Sequence, residues 1–211
     1  ETPSPLAAAY APERARRTWL APLAAAAAVL AAGVTLWAIL QNRAATDEIL
    51  ARVTRIEGRA LYTAPGERRA VPLGVDDAVV SEGRVEAPDG ESTALETDGG
   101  AVRYDVGNGG SFRLRRGPLG KIVVYERGTL GITTQHAGDV AEVRTPGGSI
   151  VPQDEAIALA ITPIPARDNA HRIELRRGRV EVRNPDGTLA LDAPNAAVVE
   201  AGFAPEPWHE P

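Results

Sequence analysis

The pattern of polar and apolar positions divides the chain into a membrane-like stretch and a long β-like stretch. From Trp19 to Leu40 no residue carries a charge, a run of 22 residues. A helix of that length crosses a hydrocarbon core of about 30 Å. Leu20, Leu23, Val29, Leu30, Val34, Leu36, Ile39 and Leu40 supply roughly −2 to −5 kcal/mol of insertion free energy. Trp19 and Trp37 stand near the two ends, where indoles favour the headgroup level, and Arg16 and Arg17 flank the start. Arg14, Arg16 and Arg17 precede the run, whereas Arg43 is soon offset by Asp47 and Glu48. The positive-inside rule then puts the N-terminus in the cytoplasm and residues 42–211 across the membrane. The expected organisation is a short cytoplasmic segment at 1–18, a transmembrane helix at 19–41 and a juxtamembrane helical extension at 42–51. A cleaved secretory signal is the alternative, and the length of the run weighs against it.

One side of the predicted helix is made of small residues. Ala21, Ala24, Ala25, Ala28, Ala32 and Thr35 recur at three- and four-residue steps. Such a face lets a second helix approach closely. Alanine facing lipid, as the cheap helix former of a GC-rich genome, is the other reading.

From Arg52 the pattern changes to short alternating or β-branched runs separated by Gly and Pro every 8–12 residues, the signature of an all-β domain. Arg172–Arg176 and Arg179–Arg183 alternate cleanly, and Asn184-Pro185-Asp186-Gly187 forms a turn before Thr188–Leu191. Ile173, Leu175, Val180, Val182, Leu189 and Leu191 are expected to line one buried face of a β-meander. Gly58, Gly83, Gly128 and Gly178 each follow a charged residue and precede a new run, which predicts four tight turns. Asp98-Gly99-Gly100, Gly107–Gly110 and Pro146-Gly147-Gly148 predict three more. Thr162–Asn169 reads as a polar loop, and Pro152–Ile161 as a turn and strand or as a short helix. Both ends, roughly 1–13 and 203–211, are rich in Pro, Ala and Glu and are expected to be disordered alone, with the tail docking on a partner through Trp208.

Composition narrows the chemistry. There is no cysteine, which excludes disulfides, thiol catalysis and Cys-ligated metals. A net charge of −5 offers no global field to gather phosphates, so no nucleic acid is expected as partner. Aromatic residues are 4% of the chain, so the core must be aliphatic. His136, His171 and His209 stand far apart and fit surface or turn positions rather than metal ligation. No serine sits in a nucleophile elbow. The doublets Asp76-Asp77 and Asp154-Glu155 fit solvated loops better than a cation site or an acid–base pair. Arg113-Leu114-Arg115-Arg116 with Lys121 reads as an exposed polar hairpin tip, with lipid headgroups or an acidic partner as the alternative. The expectation is no enzyme, no cofactor, no metal and no small-molecule substrate.

The serial order of strands and glycines over roughly 53–202 resembles the FecR-like domain, the periplasmic module of bacterial iron-citrate signalling proteins. The likeness is carried by Thr97–Tyr104, Ser111–Leu114, Val123–Leu130, Ala141–Ile150, Arg172–Val182 and Val198–Gly202. Val151–Glu155 departs from the family's Gly-Thr turn. The family's sigma-factor-binding domain is expected to be missing, since the 18 residues before Trp19 are too few to bury a core. The resemblance implies a single-pass protein of the bacterial inner membrane with an antiparallel β-sandwich or β-roll at 52–202 in the periplasm. It leaves three expectations: an accessory subunit packed against the transmembrane helices of a larger complex, a FecR-type signalling regulator, or an enzyme or carbohydrate-binding module with an unrecognised site.

Overall fold

The computed structural model describes residues 48–209, apart from Ala137, Ala166 and Asp168. The predicted span at 19–41, its small-residue face and its flanking Arg16, Arg17, Trp19 and Trp37 lie outside the described residues. Among the described residues no helix is long and apolar enough to cross a membrane. The fold they form is mainly β.

A long hairpin organises it. Two strands, Val102–Gly117 and Gly120–Thr134, are joined by Pro118-Leu119 and pair antiparallel along their length. In chain order these are β7 and β8. Their register breaks between Gly107 and Ser111, and there the hairpin doubles over. Tyr104 and Phe112 show the fold most directly. Eight residues apart on a straight strand they would be about 26 Å apart. Instead their rings stack with centroids at 4.7 Å.

The bend is possible because glycines face one another across it. Gly128 has φ +73°, and a Cβ there would lie 2.3 Å from Gly110 Cα. A Cβ at Gly110 would lie 2.8 Å from the carbonyl oxygens of Gly107 and Thr129. The two predicted turns at Gly107–Gly110 and Gly128 are therefore one paired bulge inside two continuous strands, which bends the ladder without ending it.

The described strands form one hydrogen-bonded sheet of 16 strands that does not close, and each half of the hairpin seeds one half, or layer, of it. The first layer runs in the order β3 (Val71–Pro72), β2 (Leu61–Thr63), β5 (Arg84–Glu86), the second half of β7, the first half of β8, β9 (Glu142–Thr145), β10 (Gly148–Pro152), β13 (Arg179–Asn184) and β14 (Gly187–Asp192). The second runs β4 (Ala78–Val80), β1 (Ile49–Glu57), β6 (Ser92–Thr97), the first half of β7, the second half of β8, β11 (Ala158–Pro163), β12 (His171–Arg177), β15 (Asn195–Glu200) and β16 (Phe203–Pro207). Among these pairs β8 with β9 is parallel and the rest are antiparallel.

The meander expected over Arg172–Leu191 is not what forms. β12 pairs with β11 and β15, and β13 with β10 and β14, so the two are consecutive in sequence but lie in different layers. Gly178 makes the crossing at φ +84°, and a Cβ there would meet the Ala156 carbonyl oxygen at 2.6 Å. The expected inward face survives this change. Ile173, Leu175, Val180, Val182 and Leu191 are buried and Leu189 packs against the same cluster. Alternation determines which face a residue takes, and both layers turn that face inward.

Two boundaries also move. β1 begins at Ile49, so residues 49–51 are strand rather than helical extension, and residues 42–47 lie outside the described part. At the other end the expected disordered tail is β16, whose Pro205 is buried and which hydrogen-bonds to β15. Prolines at an edge strand leave no ladder donor to waste, which reconciles the composition with the structure. The core is aliphatic apart from Tyr104, Phe112 and Tyr125, and spans both layers as one cluster.

Candidate functional site

Many charged side chains on the outward faces of the layers are paired, across strands or along one. Glu126 on β8 is among the most enclosed, with 16% of its side chain exposed. It accepts from Arg84 and Arg113 on the neighbouring strands and from Ser111 Oγ at 3.1 Å. Burial alone would push its carboxyl up; the two guanidiniums outweigh that and hold it below the usual range. On the other layer Arg103 reaches Glu96 at 3.1 Å, Asp105 at 3.0 Å and Glu57 at 3.3 Å, joining β1, β6 and β7. These are cross-strand ladders that stabilise the sheets.

The predicted basic tip is likewise neutralised. Arg113 pairs with Glu126, Arg115 with Glu82 at 2.9 Å, Arg116 with Glu48 at 3.7 Å and Lys121 with Asp98. The tip itself is not polar, because Leu119 is 86% exposed.

The histidines divide. His136 and His209 are exposed, but His171 is 5% exposed and sits edge-on to Tyr125 at 5.0 Å, so it is a core residue rather than a surface one. Its burial lowers its pKa, against a weaker opposing hydrogen bond to the Asn169 backbone, and its Nδ1 has no hydrogen-bond partner. Among the acidic doublets, Asp77 accepts from the Gly74 N–H at 2.7 Å, and Asp76 carries φ +68°, so this pair builds a turn. Asp154 and Glu155 are exposed. Among the described residues no group of three or more His, Asp or Glu is placed to hold a metal ion.

Trp208 rests on its own domain. Its N–H donates to the Ala196 carbonyl at 2.9 Å, and the Arg172 guanidinium stacks over its ring at 5.3 Å from the centroid. The indole Nε1 and Arg172 Nε are both buried without a hydrogen-bond partner. Beside this pair lies an open groove of about 480 Å³ lined by Arg167, Val198, Glu200, Phe203, Ala204 and Glu206.

The end of the fold away from the β7–β8 tip carries a second open groove, of about 490 Å³, where the turns at Pro146-Gly147, Pro185-Asp186 and Ala201-Gly202 converge. Asn184 ties them together. Its Nδ2 lies 2.7 Å from the Phe203 carbonyl, 3.0 Å from that of Glu200 and 3.3 Å from that of Gly147. Its Oδ1 accepts from the Asp186 and Gly187 N–H groups. Asn184 was visible in the sequence only as a turn residue. Neither groove brings together a nucleophile, a base and an oxyanion donor.

No family model, no curated protein and no solved structure matches this chain. The site and the sequence pattern therefore carry the functional argument alone.

Proposed function

We propose that the protein is a non-catalytic, membrane-anchored accessory subunit that packs against a larger bacterial membrane complex. The observation that carries this reading is the uncharged run at 19–40, which ends nine residues before the first described strand of a mainly-β domain, at Ile49. One transmembrane helix through 19–41 holds the chain in the inner membrane, with 1–18 in the cytoplasm and the β-domain, a sandwich or roll of FecR type, in the periplasm. The small face of Ala21, Ala24, Ala25, Ala28, Ala32 and Thr35 is the surface offered to neighbouring helices. The outward charges of the domain pair with one another, which suits a covering or spacing element better than a reaction centre. FecR-type signalling to a sigma factor is the second reading, favoured by the serial order of motifs from Thr97 to Gly202.

Mild-detergent extraction of native membranes, with the tagged chain resolved on a native gel, tests the proposal. Fixed stoichiometry with a large membrane complex supports the accessory reading, and Ala28→Leu with Ala32→Leu then weakens the association. A sigma factor among the partners transfers the assignment to the signalling reading. A chain that runs alone overturns both.

A further inference from the structure

We propose that the tip of the β7–β8 hairpin is a second membrane contact, with Leu119 and Pro118 seated in the headgroup region of the bilayer that holds the anchor. This inference rests on the anchored reading above.

Leu119 is 86% exposed, the most exposed of the large hydrophobic side chains among the described residues. It occupies a two-residue turn, where a polar residue would cost nothing. At the opposite end the turns Pro185-Asp186 and Pro146-Gly147 project no large apolar side chain, and the exposed apolar residue beside Ala201-Gly202 is Phe203, at 65% against 86% for Leu119. A single exposed leucine is ordinary. Its position is what argues for a role.

The tip lies where the chain joins the domain. Arg116, one residue from the tip glycine, approaches Glu48 at 3.7 Å. The Ser81 N–H donates to the Glu48 carbonyl at 2.8 Å, and the Glu82 N–H donates to that of Leu114 at 2.8 Å, which ties the first described residue to the same hairpin arm. Ile49, next in the chain, is 54% exposed at this end. The chain from Leu40 to Glu48 spans at most about 29 Å when fully extended. Glu48, which is bonded to this hairpin arm, is thus no more than that far along the chain from the end of the uncharged run, and the turns lined by Asn184 stand at the far ends of the strands.

The chemistry around the tip matches a lipid interface. Leu119 and Pro118 supply an apolar point above an apolar groove that includes Ile122, Ala141 and Val151. Arg115 and Arg116, paired with Glu82 and Glu48, stand beside it with more than half of each side chain exposed, and half-exposed guanidinium groups of this kind bind lipid phosphates. Lys121, paired with Asp98, holds the turn in place from below. One apolar residue is too little to recruit a soluble protein to a membrane, but a tethered domain needs only to be oriented.

The absence of cysteine makes a clean test possible. Full-length Leu119→Cys and Asp186→Cys variants are each labelled with an environment-sensitive fluorophore and reconstituted into phosphatidylcholine vesicles containing phosphatidylglycerol. Flotation reports anchoring, and quenching by spin-labelled lipid reports contact with the bilayer. The inference expects both variants to float, with a blue-shifted Leu119 probe quenched several-fold more than the Asp186 probe. Both variants floating with equally weak quenching overturns the hairpin contact and leaves the anchor standing. Failure of both to float overturns the anchored reading, and the inference with it. A Leu119 probe that stays in water in these vesicles and is shielded only in native membranes assigns the tip to a protein neighbour, which also overturns the inference.

Discussion

Replacing Gly128 by alanine tests the feature on which the two layers depend, the doubling of the β7–β8 hairpin. Its φ of +73° costs a non-glycine residue about 1–2 kcal/mol. The new Cβ would also lie 2.3 Å from Gly110 Cα and 2.6 Å from Gly110 N. These are backbone atoms in the facing bulge, so no rotamer change relieves the contact, and overpacking of this kind adds about 1–3 kcal/mol. The expected loss is therefore about 2–5 kcal/mol, a large part of an ordinary domain stability of about 5–15 kcal/mol. Gly90 provides the control. It has φ +76° with nothing within 4 Å of its Cβ position, so Gly90→Ala bears only the conformational cost of about 1–2 kcal/mol. Urea unfolding of the full chain in mild detergent measures both, followed by the far-ultraviolet β signal and by the near-ultraviolet signal of the Tyr104–Phe112 stack. If Gly128→Ala is no less stable than Gly90→Ala, the pinched bulge does not exist as described.

Three further outcomes follow from the buried and paired groups. His171 is held neutral by burial, so its folded pKa lies below the unfolded value near 6.5. The unfolded chain then binds the extra proton as pH falls below about 6.5, and stability drops in that range. His171→Phe should flatten this part of the stability–pH profile, and an unchanged slope would refute the assignment. Glu126 acts in the same direction at lower pH: its lowered pKa contributes stability above its unfolded value near 4.5, which is lost as pH falls through the lower folded value. Glu126→Gln should cost about 1 kcal/mol at neutral pH, because Arg84 and Arg113 keep partial access to water, and the deficit should shrink in acid. Trp208→Ala should lower the chain's own stability by about 1–2 kcal/mol, through lost burial and the contact with Arg172. Unaltered unfolding combined with lost partner binding would return Trp208 to the role of a docking residue.

The alternation of residues made the inward faces legible, because side-chain parity is a local property. It identified Ile173, Leu175, Val180 and Val182 as core, and the same parity counted back two residues places His171 inward. Which strand lies beside which was not legible. A one-glycine connection at Gly178 reads equally as a hairpin turn or as a crossing between layers, and only the non-local pairing of β12 with β15 decides it. The run Gly107–Gly110 resembles a turn for the same reason. Its role as a bend depends on Gly128, some twenty residues away, standing opposite. The prolines of β16 suggested disorder because composition does not register that an edge strand can spare those N–H groups. Asn184 and Leu119 were hidden in turns, where sequence specifies backbone conformation but not what a side chain faces.

The doubled hairpin makes a two-layered body with many of its outward charges paired, across strands or along one. Its two ends differ, one at the junction with the predicted span and one presenting three linked turns with a groove between them.

The central claim, a single-pass anchor carrying a periplasmic β-domain, is tested most directly by membrane fractionation with topology labelling. The cysteine-free chain carrying Asp186→Cys is produced in a bacterial host, washed with alkaline carbonate and treated with a membrane-impermeant maleimide before and after lysis. The account predicts retention in the washed inner membrane and full labelling in intact spheroplasts. A chain released by carbonate, or one labelled only after lysis, would contradict it.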